Sequence, residues 1–277
     1  FLDPALPLAP LTSVPRRTRP VGLHVHLHNF ALAGEFLRQL RRFPAPFDLF
    51  LTLTDARACA AARRLFAPAL LPAVREVHVL LVENRGRDVA PWIIGMRPFQ
   101  QRYDLFCHVH GKQSPHLPCG AAWRRHLLHT LPHPAAVTAT LAHFAEDARL
   151  GCVFPPICPE LLACMRAGHI SPGGHDGEVP EAEDLLRRLG LRPELCRADL
   201  CFSAGTMYWY RPEAQRQLFT FDLALEEFPA EPIGIGGTIA HALERVPVPL
   251  VRHNGYEAGL FALDLPPYTD DSSPEEA

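Results

Sequence analysis

The residues best equipped for chemistry begin with Glu83-Asn84-Arg85-Gly86-Arg87-Asp88-Val89-Ala90-Pro91, a polar stretch set between an apolar run and a helical pattern. Arginine presents paired donors that match phosphate oxygens, and a helix N-terminus favours negative charge. Asn84, Arg85, Gly86 and Arg87 therefore suit a diphosphate. Asp88 can hold an arginine in place, cap the helix or bind a sugar hydroxyl, while an ordinary loop with an internal Arg–Asp ion pair is the plainer alternative. The next apolar run ends in Cys107-His108-Val109-His110-Gly111-Lys112. Alternation along a strand sends His108 and His110 to one face. There they can hydrogen-bond a phosphate or a sugar beside the point charge of Lys112, or take a metal, or simply satisfy one another in a polar crevice.

Other segments add weaker signals. The run ending at Leu53 leads into Thr54 and Asp55, placing a carboxylate at a strand end, where it can accept from a nucleotide or cap the following helix. In Phe202-Ser203-Ala204-Gly205-Thr206-Met207-Tyr208-Trp209-Tyr210, Gly205 and Thr206 allow a ligand close to the backbone. Trp209, with its tyrosine neighbours, offers a stacking surface for a sugar ring, although aromatic strand residues are more often core. His24, His26 and His28 alternate on the first strand in a pattern similar to the HxH of metal-dependent amidohydrolases. That rival reading requires a closed eight-stranded barrel.

The chain of 277 residues is 48% hydrophobic and 21% charged, and no apolar run approaches the roughly 18 residues that would cross a membrane. A net charge of −3 with scattered basic residues argues against nucleic acid as a partner. The eight cysteines form no CxxC pair and no secreted-type framework, which suits reduced thiols in the cytoplasm. The first residue is Phe1, which fits a processed chain or a piece of a longer polypeptide.

These residues must be positioned by a repeating pattern of strand and helix. Strands are expected at Val21–Leu27, Phe47–Leu53, Val77–Val82 and Leu105–Val109, with helices at Leu32–Arg42, Arg57–Phe66 and Val89–Phe99 between them. That alternation predicts a parallel sheet covered by helices, with ligands at the carboxyl ends of its strands. Further on, helices are expected at Ala121–Leu131, Ala135–Phe144, Ala182–Leu189, from Pro212 and at Thr238–Arg245, with strands at Gly151–Phe154, Leu200–Trp209 and Val248–Arg252. Residues 1–20 read as a proline-rich linker or arm, residues 171–180 as a mobile loop, and residues 261–277 as a disordered tail. Residues 21–260 form one domain, with a donor half to about residue 120 and an acceptor half after it.

In order along the chain, VHLHN, PFDLFLT, NRGRDVAPW, YDLFCHVHGKQSPH, WRRHLL, FSAGTMYWYRPEA, GTIAHALER and NGY resemble the rhamnan synthesis protein F family over about Val21 to Tyr256. The resemblance implies an α/β fold with a GT-A-like, Rossmann-type, mostly parallel nucleotide-binding sheet and an α+β acceptor side. It further implies a glycosyltransferase that moves a sugar, such as a deoxyhexose, from a nucleotide donor to a lipid-linked or polysaccharide acceptor of the bacterial surface, at the inner face of the plasma membrane and within a larger assembly. A silent glycan-binding or scaffold domain is the alternative. The family pattern has an Asp where this chain has Gly236, so the expected base is Glu231, with Glu227 and His241 as further candidates. His108-Val109-His110 stands where GT-A enzymes carry a metal-binding Asp-x-Asp. No cofactor is expected, since Arg85, Arg87 and Lys112 can neutralise the diphosphate, though the sequence leaves a divalent metal open.

Overall fold

The computed structural model describes residues 6–8, 20–111, 117–167, 178–194, 202–234 and 236–261. Its strands are β1 (Leu6–Leu8), β2 (Val21–His26), β3 (Phe47–Leu53), β4 (Val74–Leu81), β5 (Phe106–His110), β6 (Leu150–Phe154), β7 (Tyr208–Tyr210) and β8 (Glu257–Phe261). They form one eight-stranded sheet in the order β1-β8-β6-β7-β5-β2-β3-β4. All pairings are parallel except those of β7, which runs against both β5 and β6. The chain steps from β2 outward through β3 to β4, then returns to the other side of β2 as β5. The strand order therefore reverses between β2 and β5, which is where an open α/β sheet leaves a crevice beyond its carboxyl ends.

Central strands β2, β3, β5 and β6 are buried along their whole length, as expected for a sheet covered on both faces, whereas the edge strand β4 is part exposed. Alternation divides the core in two. Val21, Leu23, Val25, Cys107, Val109 and Trp209 belong to one apolar cluster, and Phe50, Trp92, Phe106, Tyr208 and Tyr210 to the other.

Helices form where apolar spacing and end groups agree. Helix α1 (Ala33–Leu40) buries Ala33, Phe36, Leu37 and Leu40, the spacing of one helical face. In α2 (Ala56–Leu65) the Asp55 carboxylate caps the amide of Ala58 at 2.7 Å, and Arg63 and Arg64 sit in the last turn, where the helix dipole favours cations. Five helices follow: α3 (Gly120–Thr130), α4 (Pro134–Glu146), α5 (Pro159–Arg166), α6 (Glu178–Arg188) and the short α7 (Gln217–Thr220). Near the end of the chain, α8 (Ile239–Arg245) and α9 (Pro247–His253) pack together. No helix among the described residues is long and apolar enough to cross a membrane. The six cysteines among them are free and buried.

Several expectations are corrected. Residues Val248–Arg252 lie in helix α9, not in a strand, because Pro247 opens a helix and Val248, Leu250 and Val251 bury themselves from it. The last strand is instead β8, and α5 was not anticipated. The helix expected at Val89–Phe99 is a wide π-turn at Pro91–Gly95 followed by a 3-10 segment at Arg97–Arg102. Only Tyr208–Tyr210 of the aromatic strand pairs in the sheet, and residues 200–201 lie outside the described residues. Within the arm expected at residues 1–20, Leu6–Leu8 extends the sheet beside β8. Most of the loop expected at 171–180 and the tail after residue 261 fall outside the described residues.

Candidate functional site

Parallel register builds the site. His24 lies opposite His108 and His26 opposite His110 on neighbouring β5, while His26 lies opposite Thr52 on β3. Because side chains two residues apart share a face, four histidines and Thr52 meet on one side of the sheet at the β2–β5 reversal. Gly22 begins the same row. A Cβ there would collide with the Phe106 ring, so glycine is what lets that ring fill the floor below the histidines.

The histidines are joined to one another and to Asp88. His24 Nδ1 lies 2.9 Å from His108 Nδ1, with the two rings stacked at 4.8 Å. Thr52 Oγ1 sits between His24 Nε2 at 2.8 Å and His26 Nδ1 at 3.0 Å. His108 Nε2 faces Asp88 Oδ2 at 3.4 Å, and Trp92 stacks on His108 at 5.2 Å and 8°. His110 Nε2 donates to the Gly205 carbonyl at 2.8 Å and lies 3.6 Å from Asp88 Oδ2.

Burial governs the charges. His24 and His108 are wholly inaccessible, and desolvation holds both below the ordinary histidine value. Desolvation likewise takes His26 down to about 3, despite the pull of Asp88. Burial pushes the Asp88 carboxyl up, but the charge of His110 and the hydrogen bond and charge of His108 outweigh it and hold Asp88 well below the usual carboxylate range. Asp88 is thus ionised, while burial opposes positive charge on His24, His26 and His108.

Asp88 is placed by a strained turn. Gly86 has φ +67° and Arg87 φ +54°, and a Cβ on Gly86 would come within 2.5 Å of Phe228 Cδ1 and 2.7 Å of Ala90 Cβ. Opposite stands a second left-handed turn, Gly205 at φ +91° and Thr206 at φ +60°, closed by Thr206 N donating to Ser203 O at 2.9 Å. A β-branched residue rarely adopts that conformation, and it costs roughly 1–3 kcal/mol. The turn aims the Gly205 carbonyl at His110, and among the described residues the buried Thr206 hydroxyl has no hydrogen-bond partner.

The expected site residues fall into groups. Asp88, His108, His110 and Gly205 converge at the reversal, with Thr206 beside them in the same turn. Arg85 and Arg87 turn toward the segment 228–241. Arg85 donates to Glu83 Oε1 and to the Phe228 carbonyl, and Arg87 donates to the carbonyls of Ile233 and Gly234 and faces His241 Nε2 at 3.4 Å. Asn84 is exposed, and Asp55, also exposed, caps α2. Lys112 lies outside the described residues.

Among the expected bases, Glu231 accepts from the backbone amides of Arg87 at 2.8 Å and Ile233 at 3.0 Å. Glu227 pairs with Arg188 and accepts from Ala224 N, away from the histidines. His241 Nδ1 is 2.8 Å from Thr238 Oγ1. Trp209 corrects the stacking expectation: it is fully buried in the core and donates to the Leu131 carbonyl, and Tyr208 and Tyr210 are buried as well. Among the described residues the sheet is open, with edges at β1 and β4, whereas the amidohydrolase reading needs a closed barrel.

Thr52 and Trp92 join the expected residues here, and His24 and His26 lie on an open sheet instead of the barrel that the amidohydrolase reading requires. Their two-residue alternation with His108 and His110 was visible in the chain, but the register that brings the two pairs together was not.

Two curated relatives, both uncharacterized proteins WxcX of Xanthomonas campestris pv. campestris, from strains B100 and ATCC 33913, are each 32% identical over 177 residues. Those alignments cover 63% of this chain and 24% of each relative, so the chain spans about a quarter of the proteins it matches. The family model for rhamnan synthesis protein F matches residues 6–256, nearly all of the described sheet and every histidine of the site. The chain therefore belongs to the rhamnan synthesis protein F family.

Proposed function

We propose that the crevice at the β2–β5 reversal is the donor site of a nucleotide-sugar-dependent glycosyltransferase domain of the GT-A type. The observation that carries this reading is the meeting of Asp88, His108, His110 and the strained Gly205–Thr206 turn beyond the carboxyl ends of adjacent parallel strands. Such a crevice is where open α/β sheets take nucleotides, and unusual backbone with an unpartnered hydroxyl is characteristic of a ligand-facing turn.

In this reading the donor diphosphate lies along residues 84–88. Arg87 keeps its Nε–H and one Nη1–H uncommitted among the described residues, so it can hold a phosphate while remaining tied to the Ile233–Gly234 carbonyls. Arg85 and Lys112 add positive charge, Asp55 and Asn84 lie at the nucleoside end, and no divalent metal is needed. Gly205 and Thr206 face the acceptor, a lipid-linked or growing polysaccharide of the cell surface. A deoxyhexose such as rhamnose is the transferred sugar, and the domain works at the inner face of the membrane within a longer protein.

Calorimetric titration with nucleoside diphosphates and nucleotide deoxyhexoses tests this. Saturable binding weakened at least tenfold by Arg87→Ala, and transfer that persists in the presence of a chelator, are the expected results. Binding of glycan but of no nucleotide would replace the reading with a silent glycan-binding or scaffold domain. The ties of Arg85 and Arg87 to the 228–234 backbone, and Gly236 in place of the family's acidic residue, favour that second reading.

A further inference from the structure

The hydrogen-bond chain between Asp88 and His26 has only one consistent assignment of protons. The Asp88 carboxylate is ionised and accepts only, so His108 carries its proton on Nε2 and presents a lone pair at Nδ1. His24 must then donate from Nδ1 to His108, which leaves His24 Nε2 as an acceptor for the Thr52 hydroxyl proton. The Thr52 oxygen in turn accepts from His26 Nδ1. Each link forces the next, and the last atom of the chain, His26 Nε2, is left with a bare lone pair. Among the described residues His26 Nε2 has no hydrogen-bond partner, and the 4% of the residue that is exposed includes this atom.

We propose that His26 Nε2 is the proton-accepting atom of the crevice for a ligand hydroxyl, with Thr52, His24 and His108 passing the charge to a position beside Asp88. When a hydroxyl gives its proton to His26 Nε2, His26 Nδ1–H passes to the Thr52 oxygen and the Thr52 proton passes to His24 Nε2. The His24 Nδ1 proton then passes to His108 Nδ1. One N–H bond has formed at the entrance, His26, Thr52 and His24 have each exchanged one proton for another, and His108 has gained one, so the positive charge rests on His108 against the Asp88 carboxylate. The basicity that matters is therefore that of the His108–Asp88 pair and not that of His26. Charged and titratable neighbours bearing on His26 are Asp88, His110, His108 and His28, and those bearing on His24 are His108, His26, Asp88 and His110. That the hydroxyl belongs to a sugar acceptor rests on the transferase reading, whereas the relay does not.

Long-range proton–nitrogen NMR of the histidine-labelled protein tests the relay without any substrate. At neutral pH, His24 and His26 are expected as Nδ1–H tautomers and His108 as Nε2–H. On acidification, His24 and His26 should invert to Nε2–H at the same pH at which His108 becomes doubly protonated. His26 found as Nε2–H at neutral pH, or titrating alone to imidazolium, would overturn the proposal. Thr52→Val should return His26 to the Nε2–H form and Thr52→Ser should keep it at Nδ1–H, and identical spectra for the two variants would also overturn it. Under the transferase reading, Thr52→Val lowers kcat at least tenfold with donor KM unchanged, and Thr52→Ser restores it. Unchanged turnover in a Thr52→Val protein with altered tautomers would remove His26 as the base, while expected tautomers in a protein that binds no nucleotide would count against the transferase reading alone.

Discussion

The backbone amide of Arg87 donates to Glu231 Oε1 at 2.8 Å across 144 positions of sequence, while Glu231 Oε2 takes the amide of Ile233. One carboxylate thereby straps the strained turn before Asp88 to the loop that receives the Arg87 guanidinium. Glu231→Ala would leave two amides without their acceptor in a half-buried setting, at a cost of about 1–3 kcal/mol. Urea unfolding should show that loss, and calorimetry should show weaker nucleotide binding beside it. Loss of turnover alone, with stability and donor affinity intact, would return Glu231 to the role of general base.

Gly86 is the position where a methyl group is least tolerated. Its φ of +67° disfavours any L side chain, and a Cβ would press on Phe228 and Ala90. Gly86→Ala should destabilise the fold by more than about 1 kcal/mol from backbone strain and overpacking together. Gly34, in α1 with nothing near its Cβ, is the control, since Gly34→Ala should be neutral or raise the midpoint of thermal unfolding.

Acid should weaken the fold in a defined window. His24, His26 and His108 have folded-state values held below that of an exposed histidine by burial, so their neutral form is required for folding. Their contribution is complete above about pH 6.5 and falls as the pH drops toward the folded values, by up to about 1.4 kcal/mol per pH unit for each histidine that the unfolded chain protonates. Asp88, depressed in the folded state, adds a further loss only below about pH 4. Urea midpoints measured at pH 7, 6, 5 and 4 should decline throughout this range, and His26→Gln should flatten the decline. A profile flat from pH 7 to 5 would contradict the buried neutral histidines.

Behind the site, Trp92 Nε1 donates to Tyr210 Oη at 2.9 Å and Tyr210 Oη to Gln100 Oε1 at 3.2 Å, all buried. Tyr210→Phe keeps the ring but orphans the indole N–H, at a cost of about 1–3 kcal/mol. Because the same indole lies against His108, the variant should also displace the His108 ring resonances in NMR spectra. Unchanged stability would mean that Trp92 finds another acceptor.

The strands β2, β3, β4, β5 and β6 could be read from short apolar runs, and α1 from its apolar spacing, because strongly periodic segments carry their own burial pattern. Asp55 as a helix cap was equally local. The exchange of strand for helix at Val248–Arg252 shows the limit, since a short apolar run fits either state and Pro247 decided it only in the packed chain. Trp209 failed for a related reason: exposure of an aromatic strand residue depends on which face the partner helices cover.

The sequence by itself determined the alternating α/β pattern, the polar turn before Asp88 and the same-face pairing of histidines within each strand, since these follow from periods of two and 3.6 residues and from the φ freedom of glycine. Only the tertiary structure decided that β2 and β5 are neighbours in a register that sets His24 against His108. It also turned Arg85 and Arg87 toward residues 228–234, and it closed Thr52 into a chain of hydrogen bonds ending at His26. Those contacts depend on strand order and on loops from the far end of the polypeptide, which no local pattern encodes.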